Sequence, residues 1–102
     1  MIKYLENEKL EDLAKEGIVL VDFYADWCGP CKMLGRVLED LDLNIVKINT
    51  DTHVDLAQKF GVMSIPTVVI YKDGEVIDKF VGFRSKQEIN DLINNFVPFL
   101  VT

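Results

Sequence analysis

Cys28 and Cys31 are the two cysteines of the chain, held in the run Trp27-Cys28-Gly29-Pro30-Cys31-Lys32. Before them, Ile18-Val19-Leu20-Val21 is continuous and apolar, as in a strand buried on both faces. After Pro30, apolar residues fall at Met33, Leu34, Val37, Leu38 and Leu41, which is helical spacing. The cysteines therefore stand where a buried strand becomes a helix. Cys28 lies at the helix start and Cys31 one turn along on the same face, near enough for a disulfide to close. Free amides and the positive end of the helix dipole favour a Cys28 thiolate over an ordinary thiol of pKa ~8.5. Pro30 fits a first helical turn, where its missing N–H costs nothing. The chemistry this arrangement suits is thiol–disulfide exchange. The competing readings are an inert bridge and half of a zinc site. Zinc wants four ligands, and the one nitrogen donor left is His53, in a polar loop to which no function is assigned.

The elements that must position these residues can be read along the chain. Lys3-Tyr4-Leu5 suits a short edge strand. Asn7 is a candidate cap for a first helix with apolar Leu10, Leu13 and Ala14, closed by Gly17. Residues 44–49 form a second buried strand, and 54–60 a short helix ending at Gly61. Residues 67–71 and 75–81 pair as a hairpin through Asp73-Gly74, a strong two-residue turn signal. Ser85-Lys86-Gln87-Glu88 is a capping box. It opens a last helix with Ile89, Leu92, Ile93, Phe96 and Val97 inward, until Pro98 stops it. Strands alternating with helices, then a hairpin and a helix, predict an α/β fold: a three-layer α/β/α sandwich around a mixed sheet, one domain over residues 1–102.

Two charged residues sit oddly in this pattern. Asp22 continues the apolar strand, where an isolated carboxylate is costly and tends to protonate; the alternative is an exposed strand end. Lys47 is flanked by Ile45, Val46 and Ile48, which leaves either a buried partner or a lysine snorkelling at a strand edge.

With 102 residues, 49% of them hydrophobic, the chain can bury roughly two-thirds of its unfolded surface without staples. A bridge between residues three apart closes too small a loop to stabilise much. The net charge of −6 disfavours nucleic acid and anionic membrane as partners. The first residues lack an apolar core of signal-peptide length, and no run approaches a membrane span, so the expected location is the reducing cytoplasm.

The cysteine motif, with Asp22-Phe23-Tyr24-Ala25 before it, resembles the active-site signature of the thioredoxin family. Lys47-Ile48-Asn49, Phe60-Gly61-Val62, Ser64-Ile65-Pro66-Thr67, Asp73-Gly74 and Val81-Gly82 follow in that family's order and spacing, so the resemblance spans nearly the whole length. It implies the thioredoxin fold and a protein-disulfide reductase, with Cys28 attacking and Cys31 resolving. It implies that Asp22 is buried beneath Cys31 as its general base and acid, that Lys47 pairs with Asp22, and that the bond before Pro66 is cis, against an X–Pro base rate of ~5–6%. Trp27, Gly29, Pro30, Val62, Met63, Ile65, Gly82 and Phe83 would form an apolar rim where clients dock. The implied protein is a monomer with no bound cofactor or metal, recharged from NADPH by a thioredoxin reductase, and its partners are that reductase and disulfide-bearing clients.

The chain departs from the family pattern in three places. Leu34-Gly35-Arg36-Val37 lacks the proline that kinks the cysteine helix in many relatives, although Gly35 weakens the helix by up to ~1 kcal/mol relative to alanine. Phe83 is larger than the small residue usual after the rim glycine. The end, Val97-Pro98-Phe99-Leu100-Val101-Thr102, is unusually apolar for a tail. Two other functions remain compatible with the fold: a disulfide oxidant or isomerase, and a non-catalytic binding scaffold. Gly29-Pro30 between the cysteines argues against the first. The joint presence of both cysteines, Asp22 and Pro66 argues against the second.

Overall fold

The computed structural model describes residues 1–96. Five strands, β1 (Ile2–Tyr4), β2 (Ile18–Tyr24), β3 (Asn44–Asn49), β4 (Thr67–Lys72) and β5 (Glu75–Val81), form one sheet in the order β1-β3-β2-β4-β5. β1, β3 and β2 run parallel, while β4 is antiparallel to β2 and β5 antiparallel to β4. The helices are α1 (Leu10–Leu13), α2 (Gly29–Glu39), α3 (Val54–Lys59) and α4 (Lys86–Asn94).

The period-2 alternation of β2 sorts the core into two layers. Val19, Val21 and Phe23 point to one face, where they pack with Val46, Ile48 and Val69 beneath α1 and α3. Leu20 points to the other, with Ile45, Val68 and Ile70 beneath Leu34 and Leu38 of α2 and Ile89 and Ile93 of α4. Both faces are thus covered, which is why β2 reads as an unbroken apolar run. Asp22 and Lys47 share the parity of Leu20 and Ile45, so they face α2, the cysteine helix.

Local signals hold where their partners are near in sequence. Asp73 and Gly74 carry φ of +50° and +87°, the two left-handed positions of a tight hairpin loop. The Ser85 side chain accepts from the Glu88 amide while Glu88 accepts from the Ser85 amide, a complete capping box.

The start of the chain corrects the sequence reading. β1 begins and ends one residue earlier than expected, and Leu5 instead donates its amide to the Lys47 carbonyl at 2.9 Å. Asn7 does not cap α1; Lys9 occupies that position without a side-chain cap. Glu8 is the reason. Its carboxylate takes the Glu6 amide at 2.8 Å and pairs with Lys3 at 2.7 Å, which makes 6–8 a bend and delays the helix. Gly17 does not close α1 either, because the helix ends at Leu13. Its φ of +68° lets its amide reach Asp73 Oδ1 while its carbonyl accepts from the Asp73 amide, stitching the head of β2 to the hairpin. In the short helix, Phe60 caps rather than joins α3. α4 ends at Asn94, with Ile89 and Ile93 buried and Leu92 and Phe96 partly so. The expectations for Val97, the stop at Pro98 and the apolar tail lie outside the described residues.

Candidate active site

Cys28 is the N-cap of α2, and Cys31 lies in its first turn. The two are joined by a disulfide with their Cα atoms 5.2 Å apart, inside the range such a bond needs. The Cys31 amide donates to Cys28 Sγ at 3.2 Å, so a helix N-terminal N–H is aimed at that sulfur. An N–H aimed in this way can stabilise negative charge on that sulfur. Cys28 Sγ lies 3.9 Å from the Ile65 carbonyl oxygen, and the Ile65–Pro66 peptide is cis. Both cysteines are buried beside Ala25, Tyr24 and Ile65.

Asp22 is wholly buried at 0% exposure, directly opposite Lys47 in the β2–β3 register. Lys47 Nζ lies 3.4 Å from Asp22 Oδ2, a long ion pair, and among the described residues no other donor reaches either carboxylate oxygen. Burial pushes the Asp22 carboxyl up from 3.8 to about 6, and the Lys47 charge pulls it back only part of the way. A carboxyl so placed can take and return a proton near neutrality. A cavity of about 200 Å³ opens beside the pair and is lined by both Lys47 and Cys31.

A second set of apolar residues, with Trp27 next to Cys28 in the chain, is largely in the open. Trp27 is 70% exposed and Met63 96%, and with Val62 and Ile65 they line a cavity of about 400 Å³. Gly82 donates its amide to the Pro66 carbonyl at 2.8 Å, tying the β5 end to the proline, and Phe83 follows it, exposed. Gly29 and Pro30 begin α2 next to Trp27. The residues singled out in the sequence therefore fall largely into two groups: Trp27, Val62, Met63 and Ile65, which line the open cavity, and the Asp22–Lys47 pair, which faces α2.

One contributor carries no sequence signal. Asp51 Oδ2 accepts from Trp27 Nε1 at 2.9 Å across 24 residues, which orients the exposed indole. His53 is engaged locally, its Nδ1 3.0 Å from Thr52 Oγ1 and its Nε2 3.0 Å from the Glu6 carbonyl oxygen. Among the described residues no cluster of three or more His, Cys, Asp or Glu is placed to hold a metal ion.

The thioredoxin family model matches residues 2–95. The chain belongs to the thioredoxin family. Thioredoxin from Listeria monocytogenes is 44% identical over 103 residues, covering 95% of this chain and all of that one. Thioredoxin from Bacillus subtilis is 53% identical over 85 residues, 78% of this chain and 82% of that one. Among solved structures, a mutant thioredoxin from Halobacterium salinarum superposes with a TM-score of 0.83 at 38% identity, covering 92% of this chain and 88% of that chain. The fold is the thioredoxin fold, as the motif order implied. Thioredoxins are thiol–disulfide oxidoreductases that need no bound cofactor, and the chemistry of this chain is dithiol–disulfide exchange at its Cys-Gly-Pro-Cys pair. The family works with reductases and with disulfide-bearing clients. Among the described residues no helix is long and apolar enough to cross a membrane.

Proposed function

We propose that residues 1–102 act as one domain, a monomeric cytoplasmic protein-disulfide reductase that draws electrons from NADPH through a thioredoxin reductase. The reaction has two exchanges. The Cys28 thiolate attacks a client disulfide, forming a mixed disulfide and releasing the first client sulfur as a thiolate, which takes a proton from solvent. Asp22 then accepts the Cys31 proton, and the Cys31 thiolate attacks Cys28 Sγ. The bond between Cys28 and the client breaks, the second client sulfur leaves with its electron pair and is protonated, and the Cys28–Cys31 disulfide remains. Two electrons have passed from the protein to the client.

The rim of Trp27, Gly29, Pro30, Val62, Met63, Ile65, Pro66, Gly82 and Phe83 receives the extended client segment around the attacked bond. Exposed apolar surface of this kind commonly marks a docking site. Lys47 favours the ionised form of Asp22 and so readies it to accept.

The observation that carries this reading is the Cys28–Cys31 pair at the N-cap of α2, with the Cys31 amide on Cys28 Sγ. Reduction of insulin tests it, first with dithiothreitol as donor and then with NADPH and a bacterial thioredoxin reductase. Catalysed precipitation of the insulin B chain under both donors is expected. Catalysis that survives in Cys28→Ser would overturn the assignment.

A further inference from the structure

Lys47 Nζ is held on four sides. Asp22 Oδ2 is 3.4 Å away on one. The Tyr24 ring centroid is 4.6 Å away and that of Tyr4 5.7 Å, both within cation–π range. The two rings meet edge to face, 6.1 Å apart at 82°. Gly35 of α2 closes the fourth side, where a Cβ would stand 3.3 Å from Nζ. At 3.4 Å from Asp22 Oδ2 the ammonium is at the long end of an ion pair, and the negative faces of the two rings add a second hold on it.

We propose that Tyr4 and Tyr24 clamp the Lys47 ammonium against Asp22 and are positioning residues that set the pH range in which Asp22 is ionised. The proposal rests on the reading of Asp22 as proton acceptor for Cys31. The outer jaw of the clamp comes from β1, which is far from the cysteines in sequence and, among the described residues, pairs with β3 alone. The cavity that reaches Cys31 is walled by the same Tyr4, Tyr24 and Lys47. Its other charged groups are Asp26, from the loop after β2, and Lys32, from α2. From β4, the residue opposite Asp22 is the apolar Val68. Asp26 and Lys32 are of opposite sign and are kept in every variant, so removing a ring changes the hold on Lys47 without changing the charge of the site.

The test is Tyr4→Leu, with Tyr4→Phe as the variant that keeps the ring. Tyr4→Thr, β-branched and suited to an edge strand, replaces Tyr4→Leu if that variant does not fold. Two quantities are measured between pH 5 and 8.5. One is the carboxyl ¹³C shift of Asp22 in the oxidised protein, assigned by its loss in Asp22→Asn. The other is the decay of the mixed disulfide with an oxidised peptide, followed by acid quench and mass spectrometry. Loss of one ring lets the ammonium draw away from the carboxylate, and the weakened attraction should move the Asp22 midpoint up by about one pH unit. Decay should then slow about fivefold at pH 6 and about twofold at pH 7, and be unchanged at pH 8.5, where Asp22 is ionised in every variant. Tyr4→Phe should match the parent protein in both.

A folded Tyr4→Leu with an unmoved Asp22 midpoint overturns the clamp. So does a Tyr4→Phe that behaves like Tyr4→Leu, since the ring would not be the agent. A midpoint that rises while decay keeps its pH profile upholds the clamp and overturns Asp22 as the proton acceptor.

Discussion

Replacing Asp22 by alanine should stabilise this protein at alkaline pH and lose that advantage in acid. Burial holds the folded-state carboxyl at about 6, against 3.8 ordinarily. As pH rises past 3.8, the unfolded chain ionises first, and the folded state must either keep its proton or carry a buried charge. No penalty exists below the unfolded value. It grows between the two values and is complete above the folded one. The gap of about two pH units, at ~1.4 kcal/mol each, comes to about 3 kcal/mol. Alanine also leaves a small void, which is common to both ends of the pH range; the loss of the Lys47 ion pair is felt only where Asp22 is ionised and is already contained in the folded value of about 6. The quantity to measure is therefore the change in the stability difference between Asp22→Ala and parent from pH 3 to pH 8. Urea unfolding of both oxidised proteins supplies it, and the variant should gain about 3 kcal/mol relative to parent on going to pH 8. An identical stability difference at both pH values would mean that Asp22 titrates alike in folded and unfolded chains. The burial argument would then be wrong.

The two cysteines should fail differently: Cys28→Ser abolishes reduction, whereas Cys31→Ser attacks and accumulates mixed disulfides, visible on non-reducing gels. In the reduced protein, iodoacetamide should label Cys28 first, with a pKa below ~8.5; faster labelling of Cys31 reverses the roles. Asp51→Ala frees the Trp27 indole, and losing a rim hydrogen bond worth about 1 kcal/mol should raise KM for insulin about fivefold while kcat stays near parent. An unchanged KM would mean that the Asp51 hydrogen bond does not hold Trp27 for client binding. Leu34→Ala empties a fully buried site between α2 and the sheet and should cost ~3–5 kcal/mol in urea unfolding, against about 1 kcal/mol for Ser85→Ala at the capping box. Similar losses for the two would contradict the burial difference.

How much could be read from the residues alone depended on how far apart the deciding partners stand. The hairpin at Asp73-Gly74, the box at Ser85 and the strand–helix junction at the cysteines are written within a few neighbouring residues, and each falls where expected. The start of α1 is not, because Glu8 recruits Lys3 and the Glu6 amide and displaces Asn7 from its capping role. Gly17 answers to Asp73, 56 residues on. Asp22 and Lys47 each looked out of place, but strand patterns could not say that they face each other. That follows from a strand order that is not the chain order, with β3 inserted between β1 and β2. The same rearrangement brings Tyr4 over Lys47, and a loop brings Asp51 under Trp27, with no periodicity to announce either. The cis peptide before Pro66 was legible only through resemblance to the family.

The face-to-face register of Asp22 and Lys47 has a consequence for which structures the chain avoids. β2 is apolar on both sides, so hydrophobic patterning alone hardly distinguishes its pairing with β3 from one slipped by a residue. The charges do distinguish them. A one-residue slip turns Asp22 toward the layer of Leu10, Val46, Ile48 and Phe60, and parts it from Lys47. An unpaired carboxylate there costs far more than the imperfect pair does in place. A pair that weakens the folded state at neutral pH thus weakens its misregistered competitors more, widening the gap between the right sheet and the nearest wrong one.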